Sequence, residues 1–348
     1  MIVNDNEGVR VLHMDVCYLC GTKGTILFLN LRDKLFNAPG VWNLLRCENC
    51  GLIWLNPRPL PEESEKIYKE YYTHKPKKIY SKLFFYKIRK FLRNSILTVS
   101  FNYPELSNGF LHRMVGNMLS AIRMIRERAA LSICYLDGQD KGKLLDLGCG
   151  SGTFLSKMKK IGWKVVGVEP DEEAVRVARN NLGLNVYRGT IEEQNFEINS
   201  FEAITMNHVI EHLYDPVSTL KELYQLLKPK GKLVIITPNS ESIGARFFKS
   251  NWRGWEPPRH LYIFSFKTLQ ICVEKAGFSI LQIKTISTGA RYMYLASKQI
   301  QRGSLLYSRS SFKNNMLMKI KAFAFGLIEY FINNAGEELV IILTKKGD

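Results

Sequence analysis

The sequence predicts an α/β fold built around a doubly wound, mostly parallel sheet of seven strands. Five apolar runs alternate with helical segments, at 143–147, 164–168, 184–187, 202–206 and 232–237. This alternation is typical of parallel strands joined by crossover helices. Strand-like runs at 279–287 and 338–346 bring the number of strands to seven. A glycine-rich segment, DLGCGSG, directly follows the first run, at the end of a strand where open α/β sheets bind ligands.

Helices are predicted from apolar periodicity and from residues that favour helix starts. The segment 171–182 begins with three acidic residues after Pro170, an arrangement that the helix dipole favours. A long helix at about Phe110–Tyr135 is predicted from an apolar stripe, at Leu111, Val115, Met118, Ile122, Ile125, Ala129 and Ile133. Further helices are expected at 62–72, about Ser81–Leu97 and 266–277.

Three consecutive segments are predicted along the 348 residues. Residues 1–60 contain short strand-like runs between two pairs of cysteines and end in the turn-rich NPRP. Residues 61–140 form a basic helical cap or linker. Residues 141–348 form the α/β domain, with a helical insert at about 289–337.

The net charge of +17 is concentrated in two stretches. Residues 75–143 hold 14 Lys and Arg against 4 acidic residues, and residues 288–328 hold 7 against none. Local basicity of this kind indicates a particular surface rather than a general preference for nucleic acid. Basic amphipathic helices with aromatic residues suit an anionic membrane surface or a lipid-phosphate substrate. A helical cap whose apolar face is simply buried explains the same pattern.

The glycine-rich segment is predicted to bind a nucleoside cofactor. Glycine lets the backbone turn sharply and approach a ligand closely, and the following helix start offers free N–H groups. The spacing is G-x-G-x-G, whereas a dinucleotide site requires G-x-G-x-x-G. Glu169 ends the next strand, 23 residues after Asp146, where a carboxylate can accept both hydroxyls of a ribose. A plain strand-to-helix turn and a solvated acid are the alternatives.

The cysteine pairs predict a structural zinc site. Cys17 and Cys20, and likewise Cys47 and Cys50, form two C-x-x-C-G knuckles, whose thiolates can face one ion in a closed tetrahedral site. An iron–sulfur centre is less favoured, because no third cysteine is clustered with either pair. Four unrelated reduced cysteines are the remaining alternative. Since such a module is small, the metal is expected to supply much of its stability.

Four segments together resemble class I S-adenosylmethionine-dependent methyltransferases: DLGCGSGTF, GVEPD, NHVIEHLYDP and LLKPKGKLVIITPN. The pattern is most similar to small-molecule methyltransferases of the ubiquinone-pathway type and covers about 141–288 and 338–346. It implies a Rossmann-like fold and S-adenosylmethionine as cofactor. The cysteine-rich start joined to this domain resembles enzymes encoded with sugar and cell-surface polysaccharide pathways. The implied cofactor-binding residues are Asp146, Gly148, Cys149, Gly150, Gly152, Glu169, Pro170, Thr190, Ile191 and Asn207. Thr190 departs from the pattern, because the family usually has Asp at that position of the adenine loop.

Methyl transfer to a hydroxyl or carbon requires an oriented acceptor and a base. Histidine is the natural base near neutral pH, and the candidates are His260 first and then His208. His208 follows the fourth strand of the α/β domain, and His260 lies in a segment with two Trp and two Arg, Trp252–Tyr262. This segment is predicted to form a substrate lid with aromatic faces for a ring and guanidinium groups for phosphate. Glu211 is expected to be structural.

The predicted function is methyl transfer from S-adenosylmethionine to an oxygen or carbon of a small molecule, with a nucleotide-sugar, glycan or prenyl-linked intermediate as acceptor. One alternative is a zinc-ribbon RNA methyltransferase, although the fourth-strand segment MNHV lacks the Pro-Pro-aromatic run of base N-methyltransferases. The other alternative is a catalytically inactive zinc-ribbon binding protein. The start of the chain lacks a signal-peptide pattern, and no run of about 18 apolar residues occurs. A cytoplasmic protein is expected, with peripheral contact at the inner face of the membrane through the basic helices as an open possibility.

Overall fold

The computed structural model describes residues 3–69, 83–107, 109–303, 316–332 and 334–347. By internal contacts the chain divides into two units, each made of separate segments. Unit 1 comprises 1–71, 208–220 and 235–341, and unit 2 comprises 72–207, 221–234 and 342–348. The domain boundaries predicted at residues 60 and 140 divide the chain by sequence position alone, and they stay predictions.

The N-terminal segment consists of short strands, as the sequence predicts, and these strands pair in antiparallel register. They are β1 (Val3–Asn6), β2 (Val9–Leu12), β3 (Gly24–Leu31), β4 (Trp42–Cys47), β5 (Ile53–Asn56) and β6 (Arg58–Pro59). The strand β12 (Tyr262–Ile263) pairs with β5, with Tyr262 opposite Trp54. Two sheets result, with strand orders β1-β2-β6 and β12-β5-β4-β3.

The predicted seven-stranded, mostly parallel sheet is confirmed. Its strands are β7 (Lys143–Leu147), β8 (Lys164–Glu169), β9 (Val186–Arg188), β10 (Phe201–Asn207), β11 (Leu227–Pro238), β13 (Phe278–Ile286) and β14 (Glu338–Lys345). The strand order is β13-β14-β11-β10-β7-β8-β9. The chain runs outward from β7 to β9 and then returns to place β10 on the other side of β7, in parallel register. The order therefore reverses between β7 and β10, and ligands bind at such a switch point in open α/β sheets.

The helices of the described chain cover the predicted helical segments with one correction. They are α1 (Ser64–Tyr68), α2 (Leu83–Ser100), α3 (Phe110–Ser120), α4 (Arg123–Leu131), α5 (Thr153–Lys160), α6 (Glu172–Leu182), α7 (Pro216–Leu226), α8 (Ile243–Phe248), α9 (Phe266–Lys275), α10 (Ala290–Gln301) and α11 (Met316–Phe331). Residues 70–82, with the end of the helix predicted at 62–72, Ser81 and the start of the basic stretch, lie outside the described residues, as do residues 304–315 of the insert.

The single helix predicted at about Phe110–Tyr135 is wrong, because the chain forms α3 and α4 there. Ile122 has extended backbone angles (φ −87°, ψ 99°), and one extended residue interrupts the helical hydrogen bonds without disturbing the apolar spacing. The predicted stripe is also only partly buried. Ala129 and Ile133 are buried, whereas Leu111 and Met118 are 57% and 66% exposed. Helix α3 packs on α2 at Gly116, where a Cβ would collide with the carbonyl oxygen of Ser95.

Unit 1 buries part of the helical insert. In α11 the side chains of Met318, Ala322 and Phe325 are buried, and Phe325 stacks against Phe248 and Tyr294. Among the described residues, no helix combines the length and the apolar character that crossing a bilayer requires.

Candidate functional sites

The glycine loop after β7 adopts a conformation that glycine alone tolerates well. Gly148, Gly150 and Gly152 have φ angles of 68°, 52° and 76°, in the left-handed region where a Cβ is strained. Gly152 caps the start of α5, and a Cβ there would lie 2.5 Å from Leu184 Cδ1. Around a Cβ at Gly150, by contrast, there is open space. Gly152 therefore packs closely against its neighbours in unit 2, whereas the space beside Gly150 leaves room for a ligand.

Glu169, at the end of β8, is held against this loop. Its Oε2 accepts a hydrogen bond from Gly150 N at 2.7 Å, and its Oε1 accepts one from Asp171 N at 2.9 Å. Burial raises the pKa of the carboxyl, while these two backbone N–H groups favour the ionised form. A carboxylate oxygen has two lone pairs, so each oxygen can accept one further hydrogen bond. The arrangement suits a ligand with two adjacent hydroxyls.

Asp146 lies at the end of β7 and is 4% exposed. Its Oδ1 accepts a hydrogen bond from Thr205 Oγ1 at 2.6 Å, because Thr205 sits opposite it in the register of β10. Burial raises the pKa of Asp146 to about 7, partly offset by the Thr205 hydroxyl and increased by the nearby Glu169. The sequence analysis did not single out Thr205. Only its position could have indicated this role, because Thr205 lies on the strand that the fold places beside β7.

The other predicted cofactor residues lie along the same edge of unit 2. Cys149 is buried and its Sγ fills the space where a Cβ of Gly167 would stand. The exposed Thr190 donates its backbone N–H to Glu193 Oε2 at 3.0 Å, and the adjacent Ile191 is buried. Pro170 and Asn207 are exposed at the ends of β8 and β10. The ligand roles of these residues stay predictions.

The four cysteines of the N-terminal segment converge. Cys17 Sγ is 3.4 Å from Cys50 Sγ, and Cys20 Sγ is 3.4 Å from Cys47 Sγ. All four sulfurs lie within 4.8 Å of one another. Tetrahedral zinc at about 2.3 Å from each sulfur requires sulfurs about 3.8 Å apart, so the arrangement fits one ion. Left-handed glycines, Gly21 and Gly51, follow both knuckles.

The two candidate bases differ in their surroundings. His208 has a left-handed backbone (φ 56°) and lies between Glu211 Oε1 at 3.2 Å and Glu338 Oε1 at 2.8 Å. Burial would lower the pKa of His208, but the two carboxylates raise it well above the usual value. A histidine held in its charged form between two acids is a poor proton acceptor. His208 therefore fits an ion-pairing role better than the predicted role of base.

His260 is buried, and its Nδ1 lies 2.7 Å from the carbonyl oxygen of Gly254. Burial lowers the pKa of His260 to about 4, which keeps the ring neutral at pH 7. Because a carbonyl only accepts, Nδ1 carries the proton, and the lone pair of Nε2 lies 3.4 Å from Glu256 Oε2. His260 also packs edge-on against His212, with ring centroids 4.8 Å apart.

The predicted substrate lid requires a correction. Trp252, Arg253, Trp255 and Arg259 are all less than 5% exposed. Arg253 is ion-paired with Glu256, and Arg259 bonds Asp33 Oδ2 at 2.8 Å and Glu256 Oε1 at 3.1 Å. These guanidinium groups already have carboxylate partners, which removes the reason for predicting them as phosphate ligands. The sequence pattern missed this because Asp33 lies far away along the chain.

Comparison with known proteins agrees with the geometry of unit 2. Residues 116–283 match a family model described as a methyltransferase domain. A ubiquinone biosynthesis O-methyltransferase of Ruegeria pomeroyi is 37% identical over 102 residues, which are 28% of this chain and 41% of that protein. A 37.1 kDa protein in a transposon of Streptomyces fradiae is 29% identical over 134 residues, covering 36% and 39% of the two chains. The chain thus spans less than half the length of these curated relatives.

Among solved structures, a SAM-dependent methyltransferase from Archaeoglobus fulgidus is similar to 65% of this chain and 94% of its own. The sequence identity is 19% and the TM-score 0.44. The family match over 116–283 coincides with the strands and loops that carry the glycine segment and Glu169. Residues 116–283 are thus similar to a methyltransferase domain.

Proposed function

We propose that this protein transfers the methyl group of S-adenosylmethionine to an oxygen or carbon of a small molecule. The observation that carries the proposal is the position of Glu169, bonded to the glycine loop through Gly150 and to the start of α6 through Asp171. This carboxylate suits the two ribose hydroxyls of a nucleoside cofactor. The cofactor supplies an electrophilic methyl carbon. The residues of unit 2 bind and orient the cofactor.

The chemical class of the acceptor is proposed from the similarity of this chain to other proteins. The name of the Ruegeria pomeroyi relative assigns it an O-methyl transfer in ubiquinone biosynthesis, which favours a small organic acceptor over a macromolecule. The four-cysteine segment resembles that of sugar and polysaccharide enzymes. We therefore propose a nucleotide-sugar, glycan or prenyl-linked acceptor for this chain.

Methyl transfer can be tested without knowing the acceptor. The purified protein is incubated with S-adenosylmethionine labelled in the methyl group and with a cell lysate separated into small-molecule, lipid and RNA fractions. Mass spectrometry is expected to find the label in a small-molecule or lipid product. The matched control is Glu169→Ala, which should bind the cofactor weakly. Label found only in RNA would overturn the acceptor class, and failure of the wild type to bind the cofactor in calorimetry would overturn the activity.

We further propose that the four cysteines hold a structural zinc ion. The convergence of their sulfurs within 4.8 Å and the absence of any disulfide among the described cysteines support this. Four thiolates leave no open coordination position, which is typical of a structural site. In this role the metal fixes the two knuckles and stabilises the surrounding strands.

A membrane surface is the partner proposed for the helical insert. The outward face of α11 exposes large apolar side chains, and Lys319 and Lys321 belong to the same helix. The exposed apolar residues are Met316, Leu317, Ile320, Phe323, Ile328 and Phe331. Apolar and cationic groups on one helix suit the boundary of an anionic bilayer.

Vesicle flotation tests this contact. Vesicles that contain anionic lipid should carry the wild type to the top of a density gradient, and neutral vesicles should carry less of it. The double variant Phe323→Ser/Phe331→Ser should float less at equal helix content, while the exposed control Tyr292→Ser should float like the wild type. Equal recovery on both vesicle types, or no effect of the double variant, would contradict the proposal.

A further inference from the structure

Three side chains of unit 1, Glu211, His212 and His260, form a cluster. One potential ligand atom from each lies within 4.8 Å of the others. Glu211 is fully buried and His260 is 4% exposed. We propose that this cluster binds a divalent transition-metal ion, separate from the zinc held by the four cysteines.

The hydrogen bonds of the two imidazoles to backbone carbonyls involve the Nδ1 atom of each ring. His212 Nδ1 lies 2.9 Å from the carbonyl oxygen of Arg259, and His260 Nδ1 lies 2.7 Å from that of Gly254. Since carbonyl oxygens accept only, both Nδ1 atoms carry the proton and both Nε2 atoms keep a lone pair, that of His260 lying 3.4 Å from Glu256 Oε2. Metal-binding histidines usually have this arrangement, in which the second nitrogen donates to a carbonyl or carboxylate.

The carboxylate of Glu211 is oriented in the same manner. Its Oε2 accepts a hydrogen bond from Thr237 Oγ1 at 3.0 Å, and its Oε1 lies 3.2 Å from His208 Nδ1. All three candidate ligands thus have a partner that fixes their direction. Such supporting contacts are characteristic of metal sites and distinguish them from chance clusters of polar residues.

The carbonyl groups that hold the two rings, those of Gly254 and Arg259, belong to one segment of the chain. Arg259 is held by Asp33 and Glu256, and Arg253 by Glu256, with all of these side chains buried. His212 Nδ1 is also 3.1 Å from the Tyr68 hydroxyl. The buried ion pairs therefore set the carbonyl positions that orient both rings.

Two imidazoles and one carboxylate suit Zn²⁺, Fe²⁺ or Mn²⁺ and leave at least one coordination position open. The four-cysteine site differs in both respects, since it is closed and consists of soft thiolates. An ion at the new site would present its open position to an oxygen ligand, such as water or a hydroxyl group. The four-cysteine site would be structural, and the site of Glu211, His212 and His260 would be able to bind a ligand.

Cobalt(II) distinguishes the two sites in the full-length protein. The metal-free protein is titrated with Co²⁺ while absorption is recorded. The first equivalent should give the thiolate charge-transfer band, and a second should add only weak bands typical of nitrogen and oxygen ligands. Elemental analysis after titration with Zn²⁺ should then find two ions per chain in the wild type.

Variants test which residues hold the second ion. His260→Ala and Glu211→Gln should lose the second equivalent and keep the thiolate band. His212→Gln, at a half-buried position, serves as a second variant if the buried substitutions do not fold, and the exposed His13→Ala is the matched control. A wild type that binds a single equivalent, or a His212→Gln variant that keeps both, would overturn the proposal. Neither result depends on methyl transfer.

Discussion

The carboxylate of Glu169 is bonded at 2.7 Å to the backbone N–H of Gly150. This contact joins the end of β8 to the glycine loop that follows β7. A side chain predicted to bind the ribose thus also fixes the loop predicted to contact the methionine part of the cofactor. Changes at Glu169 should consequently affect both the affinity for the cofactor and the conformation of the loop.

Substitution Glu169→Ala should weaken binding of S-adenosylmethionine at least tenfold, because it removes both acceptor oxygens and leaves Gly150 N without its partner. Each lost hydrogen bond to a charged group corresponds to about 1.5–3 kcal/mol. Isothermal titration calorimetry measures the effect. The control is Glu172→Gln, which changes an exposed acid in the first turn of α6. Equal affinities of Glu169→Ala and wild type would contradict the assignment of Glu169.

Two glycine substitutions should have different consequences. At Gly150 an added Cβ meets open space, so Gly150→Ala should cost only the left-handed strain, about 1–2 kcal/mol, and should impair cofactor binding. At Gly152 the Cβ would overlap with Leu184. The free energy of unfolding of Gly152→Ala should therefore fall by about 1–3 kcal/mol more than that of Gly150→Ala. Chemical denaturation and calorimetry together separate the two effects. If Gly150→Ala proved the less stable variant, the loop geometry would be wrong.

The stability of the cofactor-free protein should depend on Asp146 between about pH 4 and pH 7. Burial raises the pKa of this carboxyl in the folded state to about 7. A raised pKa stabilises the fold below the unfolded value, and that stabilisation is lost as the pH rises through the folded value. Asp146→Asn retains an acceptor for Thr205 and cannot ionise, so its unfolding free energy should decline less over this range. The exposed Glu197→Gln provides the control, and parallel pH profiles for wild type and Asp146→Asn would argue against a buried titrating group.

A buried pair of acids in unit 1 should make the folded state less stable as the pH rises. Burial raises the pKa of both Glu329 and Glu337; the neighbouring Glu337 raises that of Glu329 further, whereas the hydrogen bond with Glu329 lowers that of Glu337. Because these pKa values are raised, stability is lost as the pH rises above the unfolded value. Glu329→Gln removes one charge, so its stability relative to the wild type should increase steadily from pH 5 to pH 8. Thermal unfolding in a pH series measures this.

Two further variants control that experiment. The exposed Glu241→Gln should follow the wild type at every pH. Glu337→Gln should be destabilised, since Glu337 Oε2 accepts hydrogen bonds from Trp252 Nε1 at 2.7 Å and Ser242 Oγ at 3.2 Å. If Glu329→Gln gave no pH-dependent gain, the two acids would not share a buried environment.

If the four cysteines hold zinc as proposed, removal of the ion should unfold the N-terminal strands. Small metal modules depend on the ion for much of their folding free energy, and Cys47 and Cys50 flank the end of β4. Cys50→Ser should therefore abolish the thiolate band of the cobalt-loaded protein and lower the melting temperature. Cys272→Ala, which changes a buried cysteine of α9 outside the cluster, should keep the band. An unchanged melting temperature after chelation would count against a structural role.

Local patterns were enough to predict the parallel sheet, the glycine loop and the two cysteine knuckles. Each depends on residues close together in sequence, such as the three glycines after β7 or the C-x-x-C-G repeats, whose spacing already restricts the backbone. The break at Ile122 was not predictable in this way, because the apolar spacing continues across it. Nor was the burial of the arginines in 252–262, because Arg259 is paired with Asp33 across more than two hundred residues.

The sequence by itself thus determined the fold class, since local periodicity and short spacing encode it, while its resemblance to methyltransferases implied the cofactor. The tertiary structure decided the protonation and the partners of the histidines. His208 lies between two carboxylates, whereas His260 is buried against a carbonyl. Both are single histidines in the sequence, and only their contacts in the folded chain make His208 cationic and His260 neutral. The same contacts bring Glu211, His212 and His260 together, because convergence in space depends on how distant segments pack.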